Sequence, residues 1–154
     1  MNFVDAIKKC FAKFADFNGR AGLSEYWWFM LFIFLGGMLL GLLSSTISNI
    51  FSLVTFVPTI AVTSRRLHDI NKTGWMQLWW TIGGMIGVVL MIFGFASMLF
   101  PGGLAGAGSV AMVGAGALIA LASFGFAIYL MIKSGDREDN QYGAVPVEST
   151  SLAV

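Results

Sequence analysis

Arg65–Trp75, RRLHDINKTGW, is a charged island between two long apolar runs, and its reading decides the fold. It contains the only histidine, His68, and the only adjacent arginines, Arg65 and Arg66. On its C-terminal side, Trp75 to Phe100 is free of charge for 26 residues. On its N-terminal side, the stretch from the cluster Ser44, Ser45, Thr46, Ser48 and Asn49 down to Ser64 is uncharged as well. A hydrocarbon layer of roughly 30 Å takes about 20 helical residues to cross. Both flanks are therefore expected to span a membrane, with the island, Arg65 to Gly74, as a loop at its surface.

The composition demands the same class. Hydrophobic residues make up 57% of the 154-residue chain and charged residues 11%, far outside the balance of water-soluble domains. The net charge of +1 implies no nucleic-acid-binding surface. Cys10 is the single cysteine, so no disulfide framework or cysteine-based metal site is expected, and its setting marks it as an inert thiol. No cofactor-binding motif is present.

Outward from the island, two further runs complete a four-span pattern. Trp27 to Ile47 is the first span, 21 uncharged residues and about 31 Å long at 1.5 Å per residue. Trp27 and Trp28 read as interfacial anchors, Ser24 as the cap of that helix, and Glu25 as the carboxylate at its positive end. The second span, 46–64, is shorter and must begin inside the serine cluster, tilt or thin the bilayer. It contains Pro58, which frees the Val54 carbonyl and kinks the helix, with Thr55 and Thr59 hydroxyls available to the released backbone. The third span is 75–100, stopped by Pro101, Gly102 and Gly103, and the fourth is 110–132. Gly37 with Gly41 and Gly83 with Gly87 form GxxxG pairs, and Ala107, Ala111 and Ala115, beside Gly116 and Ala120, suit close helix packing.

Before the spans, Phe3, Val4, Ile7, Cys10, Phe11, Phe14 and Phe17 form one helical stripe, with Lys8, Lys9, Lys13 and Asp5 mostly elsewhere. An amphipathic helix follows, lying in the headgroup region or packed on its own bundle. No cleavable signal peptide is expected, because the first long apolar run starts only at Tyr26. The layout is thus a cytoplasmic amphipathic segment at 1–25, a transmembrane domain at 26–133, and a polar tail at 134–154 whose last ten residues are expected to be disordered.

Charge fixes the expected orientation. Lys8, Lys9, Lys13 and Arg20 precede span one, Arg65, Arg66 and Lys72 lie between spans two and three, and Lys133 and Arg137 follow span four. Those are all nine basic residues, and the loops on the other side carry none. The positive-inside rule places both termini and the island in the cytoplasm. A re-entrant second segment would strand the island and tail charges outside, so crossing is preferred.

With that topology, Arg20, Glu25, Arg65, Arg66, His68, Asp69 and Asn140 share one membrane surface. Arginine forks pair with carboxylates at two points, and Asp69 and Glu25 are the available partners. The succession FNGRAGLSEYWW, RRLHDINKTGW and GDREDNQYGAVP, over roughly 17–146, resembles the bacterial inner-membrane family known as domain of unknown function 805. The matching positions are Gly19, Arg20, Glu25, Tyr26 and Trp27, then Arg65, Arg66, Leu67, His68 and Asp69, then Gly135, Asn140, Gly143 and Pro146. The chain departs from the family at Gly22 and Leu23, where further basic residues are common, and at Val145, where an acidic residue is usual. The resemblance implies a small polytopic inner-membrane protein and supplies no biochemical activity.

A metal site from His68, Asp69 and Glu25, or acid–base catalysis by His68 with Asp69, lacks a supporting motif. The spans contain no ionisable residue of the kind that lines a charged-solute or proton path. The expected role is a structural or accessory subunit of a membrane assembly. In it, Arg65 and Arg66 tie span two to Glu25 and to the tail near Asn140, while His68 and Asp69 shape the turn before Trp75. The bilayer is the expected partner, together with a membrane protein, a second copy or anionic lipid. Passage of an uncharged solute is the alternative.

Overall fold

The computed structural model describes residues 1–99 and 106–146. The expected helix stop at Pro101–Gly103 and most of the expected disordered tail lie outside the described residues. Five α-helices follow in order: α1 Phe3–Ala12, α2 Leu23–Leu43, α3 Ser45–Asp69, α4 Gln77–Leu99 after a 3-10 turn at Gly74–Met76, and α5 Ala107–Ile132. No strand occurs among the described residues; an isolated bridge pairs Asn140 with Gly143. The segments Leu23–Leu43, Ser45–Asp69, Gly74–Leu99 and Ala107–Ile132 are long and apolar enough to cross a membrane. The chain is an all-α membrane protein of four such helices, whose described residues divide into two compact units: 1–74 with 131–146, and the rest of 75–130.

In the first unit, α1 starts where the Asn2 side chain accepts from Asp5 N at 2.8 Å, satisfying one of the donors a helix start leaves open. Its buried residues, Ala6 and Cys10, face the protein. Phe11 meets Phe29 and Phe32 edge-on at centroid distances of 5.9 and 6.0 Å, geometry that suits the ring quadrupole. The aromatic chain continues from Phe32 to Phe51 on α3 at 5.6 Å. Gly36 makes that approach possible, since a Cβ there would stand 2.6 Å from Phe51 Cζ. The Gly37–Gly41 pair borders α3 as well, less closely: Ser48 Oγ donates to Gly37 O at 3.4 Å and would stand 3.7 Å from a Cβ on Gly41.

The α2 start also differs from expectation. Gly22 occupies the N-cap position without a side-chain cap, and Ser24 stands one residue inside the helix, because the helix begins at Leu23. The second span begins inside the serine cluster, the first of the expected alternatives. Ser44 alone is extended, and α3 starts at Ser45, so the second span has 25 residues. Its uncharged part, 45–64, is about 30 Å long at 1.5 Å per residue, enough to cross the hydrocarbon layer.

Within α3 the threonine hydroxyls do not go to Val54. Thr55 Oγ1 donates to Phe51 O at 2.8 Å, Thr59 Oγ1 to Thr55 O at 2.6 Å, and Thr63 Oγ1 to Thr59 O at 2.7 Å. Each takes the carbonyl four residues back on its own row, the acceptor a helical threonine reaches most easily.

The island is only half a loop. Arg65–Asp69 continues α3, since arginine and leucine are good helix formers and Arg66 and His68 sit in the last turn, where cations suit the helix end. The stop is a Schellman motif. Asn71 adopts φ 54°, its N–H donates to His68 O at 3.0 Å, and Lys72 N–H donates to Leu67 O at 2.9 Å. Asparagine tolerates that left-handed conformation better than most residues.

The second unit is a hairpin of α4 and α5 packed through glycine. A Cβ on Gly87 would stand 2.6 Å from Gly116 O and 2.7 Å from Ala120 N, and one on Gly94 2.6 Å from Val113 Cγ2. Backbones therefore approach closely where side chains are absent. Gly83–Gly87 and Gly116–Ala120 are contact rows as expected, whereas Ala107, Ala111 and Ala115 are exposed. Trp80 meets Phe126 edge-on at 6.4 Å.

Candidate functional site

The first unit buries an ionic cluster. Arg65, Arg66 and Glu25 are fully buried, Asp69 is 3% exposed and Arg20 8%. Charges removed from water at this depth are tolerated only when paired and hydrogen-bonded. The pairing divides into two halves, one around each carboxylate.

Glu25, in the first turn of α2, receives Arg65 Nη1 on Oε1 at 2.5 Å. Its Oε2 has no aligned hydrogen bond, yet Lys9 Nζ stands 2.7 Å away, and at that distance the ion pair satisfies the oxygen. Lys9 links α1 to this centre and was not among the residues singled out from the sequence. Arg65 also holds the loop before α2 through its backbone, with Ala21 N–H donating to Arg65 O at 3.0 Å. Its Nε and Nη2 have no hydrogen-bond acceptor. The Cys10 thiol lies beside this guanidinium, but burial, reinforced by the Glu25 charge, outweighs the arginine and pushes it up to about 12. The thiol therefore stays protonated and unreactive at neutral pH.

Asp69, in the last turn of α3, takes Arg20 Nε on Oδ1 at 3.0 Å and Arg66 Nη1 on Oδ2. Both guanidiniums then reach the chain beyond the spans. Arg66 donates to Met131 O, from Nε at 3.3 Å, and to Lys133 O. Those carbonyls end α5, where the helix lacks donors and carries partial negative charge. Arg20 donates to Glu138 O at 2.8 Å and Asp136 O at 2.5 Å, and Asp136 N–H closes the loop on Asp69 O at 2.8 Å. Arg20, and not Arg66, thus reaches the tail.

His68 and Asn140 fasten the outer layer. His68 Nδ1 is 3.1 Å from Gly19 O, and its ring stacks on Tyr142 with centroids 3.9 Å apart. Asn140 Nδ2 donates to His68 O at 2.9 Å, and Asn140 Oδ1 accepts from Tyr142 N at 2.9 Å. The resulting tight turn closes at Gly143, whose φ of +128° favours glycine.

All seven residues singled out from the sequence lie in the first unit. Glu25 with Arg65 forms one pair, Asp69 with Arg20 and Arg66 the other, and His68 and Asn140 join them through backbone atoms. Asp69 ties chain segments together and leaves the turn before Trp75 to Asn71. Two contributors, Lys9 and Tyr142, escaped notice, and Gly135 was named only as a position matching the family. Tyr142 carried a signal, as a lone aromatic in a polar tail. Gly135 is required because any side chain would overlap the Asp69 carboxylate.

The family described as "Protein of unknown function (DUF805)" matches residues 14–144. The chain belongs to this family. Among the relatives, "Inner membrane protein YhaH" of Escherichia coli strain K12 is 29% identical over 101 residues, covering 58% of this chain and 84% of that protein. "Inner membrane protein YhaI" of the same strain is 33% identical over 87 residues, covering 52% and 74%. No solved structure matches the chain. The DUF805 match spans Arg20, Glu25, the arginine pair and Asn140, and so takes in both halves of the ionic cluster.

Proposed function

We propose that the chain is a small structural or accessory subunit of a bacterial inner-membrane assembly, with both termini and the ionic cluster at the cytoplasmic face. The observation that carries this reading is how the buried charge is used. Arg66 holds the end of α5, Arg20 the tail, and Arg65 the start of α2, and both carboxylates are occupied by arginines. Charges used to fasten chain ends support a structural role over a catalytic one. The placement of all nine basic residues in three segments supports the orientation, as does the layout of an amphipathic segment at 1–25, spans within 26–133 and a polar tail. The names of the relatives support the membrane.

The partner of this subunit is a membrane protein or a second copy, with anionic lipid retained at the basic face. Passage of an uncharged solute is the alternative; among the described residues a depression of about 590 Å³ is lined by Asn71 of the island and by Asp136, Glu138, Asp139 and Gln141 of the polar tail. Extraction from native membranes into lipid nanodiscs, followed by native mass spectrometry, tests the proposal. A co-purifying subunit or a stable homo-oligomer is expected; a lone monomer without retained lipid overturns it.

A further inference from the structure

We propose that α1 lies in the plane of the membrane surface, seated on the protein by one edge and immersed in phospholipid by the next. Three observations place it there. First, α1 crosses α2 obliquely. Phe3 contacts Trp28, and Phe11 contacts Phe29 and Phe32. Eight residues of α1, roughly 12 Å of its axis, thus correspond to at most four residues of α2, roughly 6 Å. A helix running alongside α2 would advance equally on both. Second, the crossing sits at the entry of a span. Trp27 and Trp28 are exposed there, and Trp28 Nε1 donates to Met1 O at 3.1 Å, which sets the start of α1 at the level of an aromatic belt.

Third, the residues sort by direction around α1 at about 100° per residue. Ala6 and Cys10 form the edge against the protein. A quarter turn away lies an apolar edge of Phe3, Val4, Ile7 and Phe11; Phe3 and Phe11 border α2, while Val4, 54% exposed, is its open part, continued by exposed Phe14 beyond the helix end. On the other side of the axis lie Asp5, Lys9 and Ala12. Lys8 is exposed at the boundary between the two, and among the described residues no carboxylate pairs with it. Acyl chains against the apolar edge, a lipid phosphate against Lys8 and water over Asp5 satisfy all three directions at once. The occupant of this surface is bilayer phospholipid, and the inference requires no subunit partner.

Nitroxide labels on Val4→Cys and Asp5→Cys test it, in the full chain reconstituted in phosphatidylethanolamine–phosphatidylglycerol nanodiscs. Both positions are exposed, so the fold tolerates them, and Cys10 stays unlabelled because its thiol is buried. The label at position 4 is expected to relax mainly with oxygen, which partitions into lipid, and the label at position 5 mainly with a water-soluble nickel chelate. Lys8→Glu is expected to weaken oxygen relaxation at position 4 by lifting that edge from the phosphate layer. Equal access of nickel chelate to positions 4 and 5, or shielding of position 4 from both agents, overturns the inference. Because no partner enters the measurement, its failure is separable from failure of the accessory-subunit reading.

Discussion

The two units hold apolar helices together by opposite means. The first buries three guanidiniums and two carboxylates; the second, Trp75–Leu130, has no charged residue in its sequence and joins its helices through Gly87, Gly94 and Gly116. Lipid gives apolar side chains no incentive to leave it, so helix association needs either polar contacts or close van der Waals packing. The glycine hairpin takes the second route. Its contacts join two consecutive helices and, at Gly87, Gly94 and Gly116, tolerate no added bulk. The ionic cluster takes the first, and it joins segments far apart in the chain, with a sequence separation of 49 for the Arg20–Asp69 contact and 118 for Arg20–Glu138. Charge pairs select a partner by geometry as well as proximity, which suits long-range closure.

Removing one shared carboxylate should have the largest effect. Asp69→Ala leaves Arg20 and Arg66 buried without their counter-charge, a change that costs about 3–5 kcal/mol. Thermal unfolding in mild detergent should show a loss of many degrees; melting within a degree of wild type would mean that the charges are solvated and that the contrast between units is false. A smaller effect is expected from Gly87→Val, which drives a branched side chain into Gly116 O and the Ala120 backbone. Overpacking of this kind costs about 1–3 kcal/mol. Gly114→Ala, where nothing lies within 4 Å, is the control and should be nearly neutral. If both substitutions are neutral, the hairpin is not held by close approach.

The smallest effect belongs to the outer layer. Asn140→Ala deletes the bonds to His68 O and to the Tyr142 N–H, each worth about 1 kcal/mol at most in a half-exposed site. The melting temperature should hardly move, while trypsin cleavage after Arg137 should accelerate as the tail loosens. Unchanged cleavage would show that Arg20 alone secures the tail.

Much of this division was legible beforehand. Apolar runs longer than the hydrocarbon thickness give the number of spans, and the confinement of charge to three segments shows which residues share a surface. The glycine rows at Gly83–Gly87 and Gly116–Ala120 were visible from their spacing, whereas the same spacing at Gly37–Gly41 gives a looser border with α3 and at Ala107–Ala115 an exposed face. Spacing puts residues on one face of a helix without saying whether another helix covers that face. The island was misread as a loop because its polarity outweighed its helix propensity; Asn71, the true stop, was one undistinguished polar residue among several. Lys9 looked like a solvated lysine of an amphipathic helix, since nothing local ties it to Glu25.

By itself, then, the sequence determined the class, the spans and the surface on which the arginines gather, because these depend on run length and on the cost of placing charge in hydrocarbon. Only the tertiary structure decided that Arg65 belongs to Glu25 while Arg66 and Arg20 share Asp69. That choice depends on how α1, α2 and α3 cross, on the Schellman turn that ends α3, and on the missing side chain at Gly135 that lets the end of α5 reach the Asp69 carboxylate. Coulombic attraction makes any of these pairs favourable; packing selects among them.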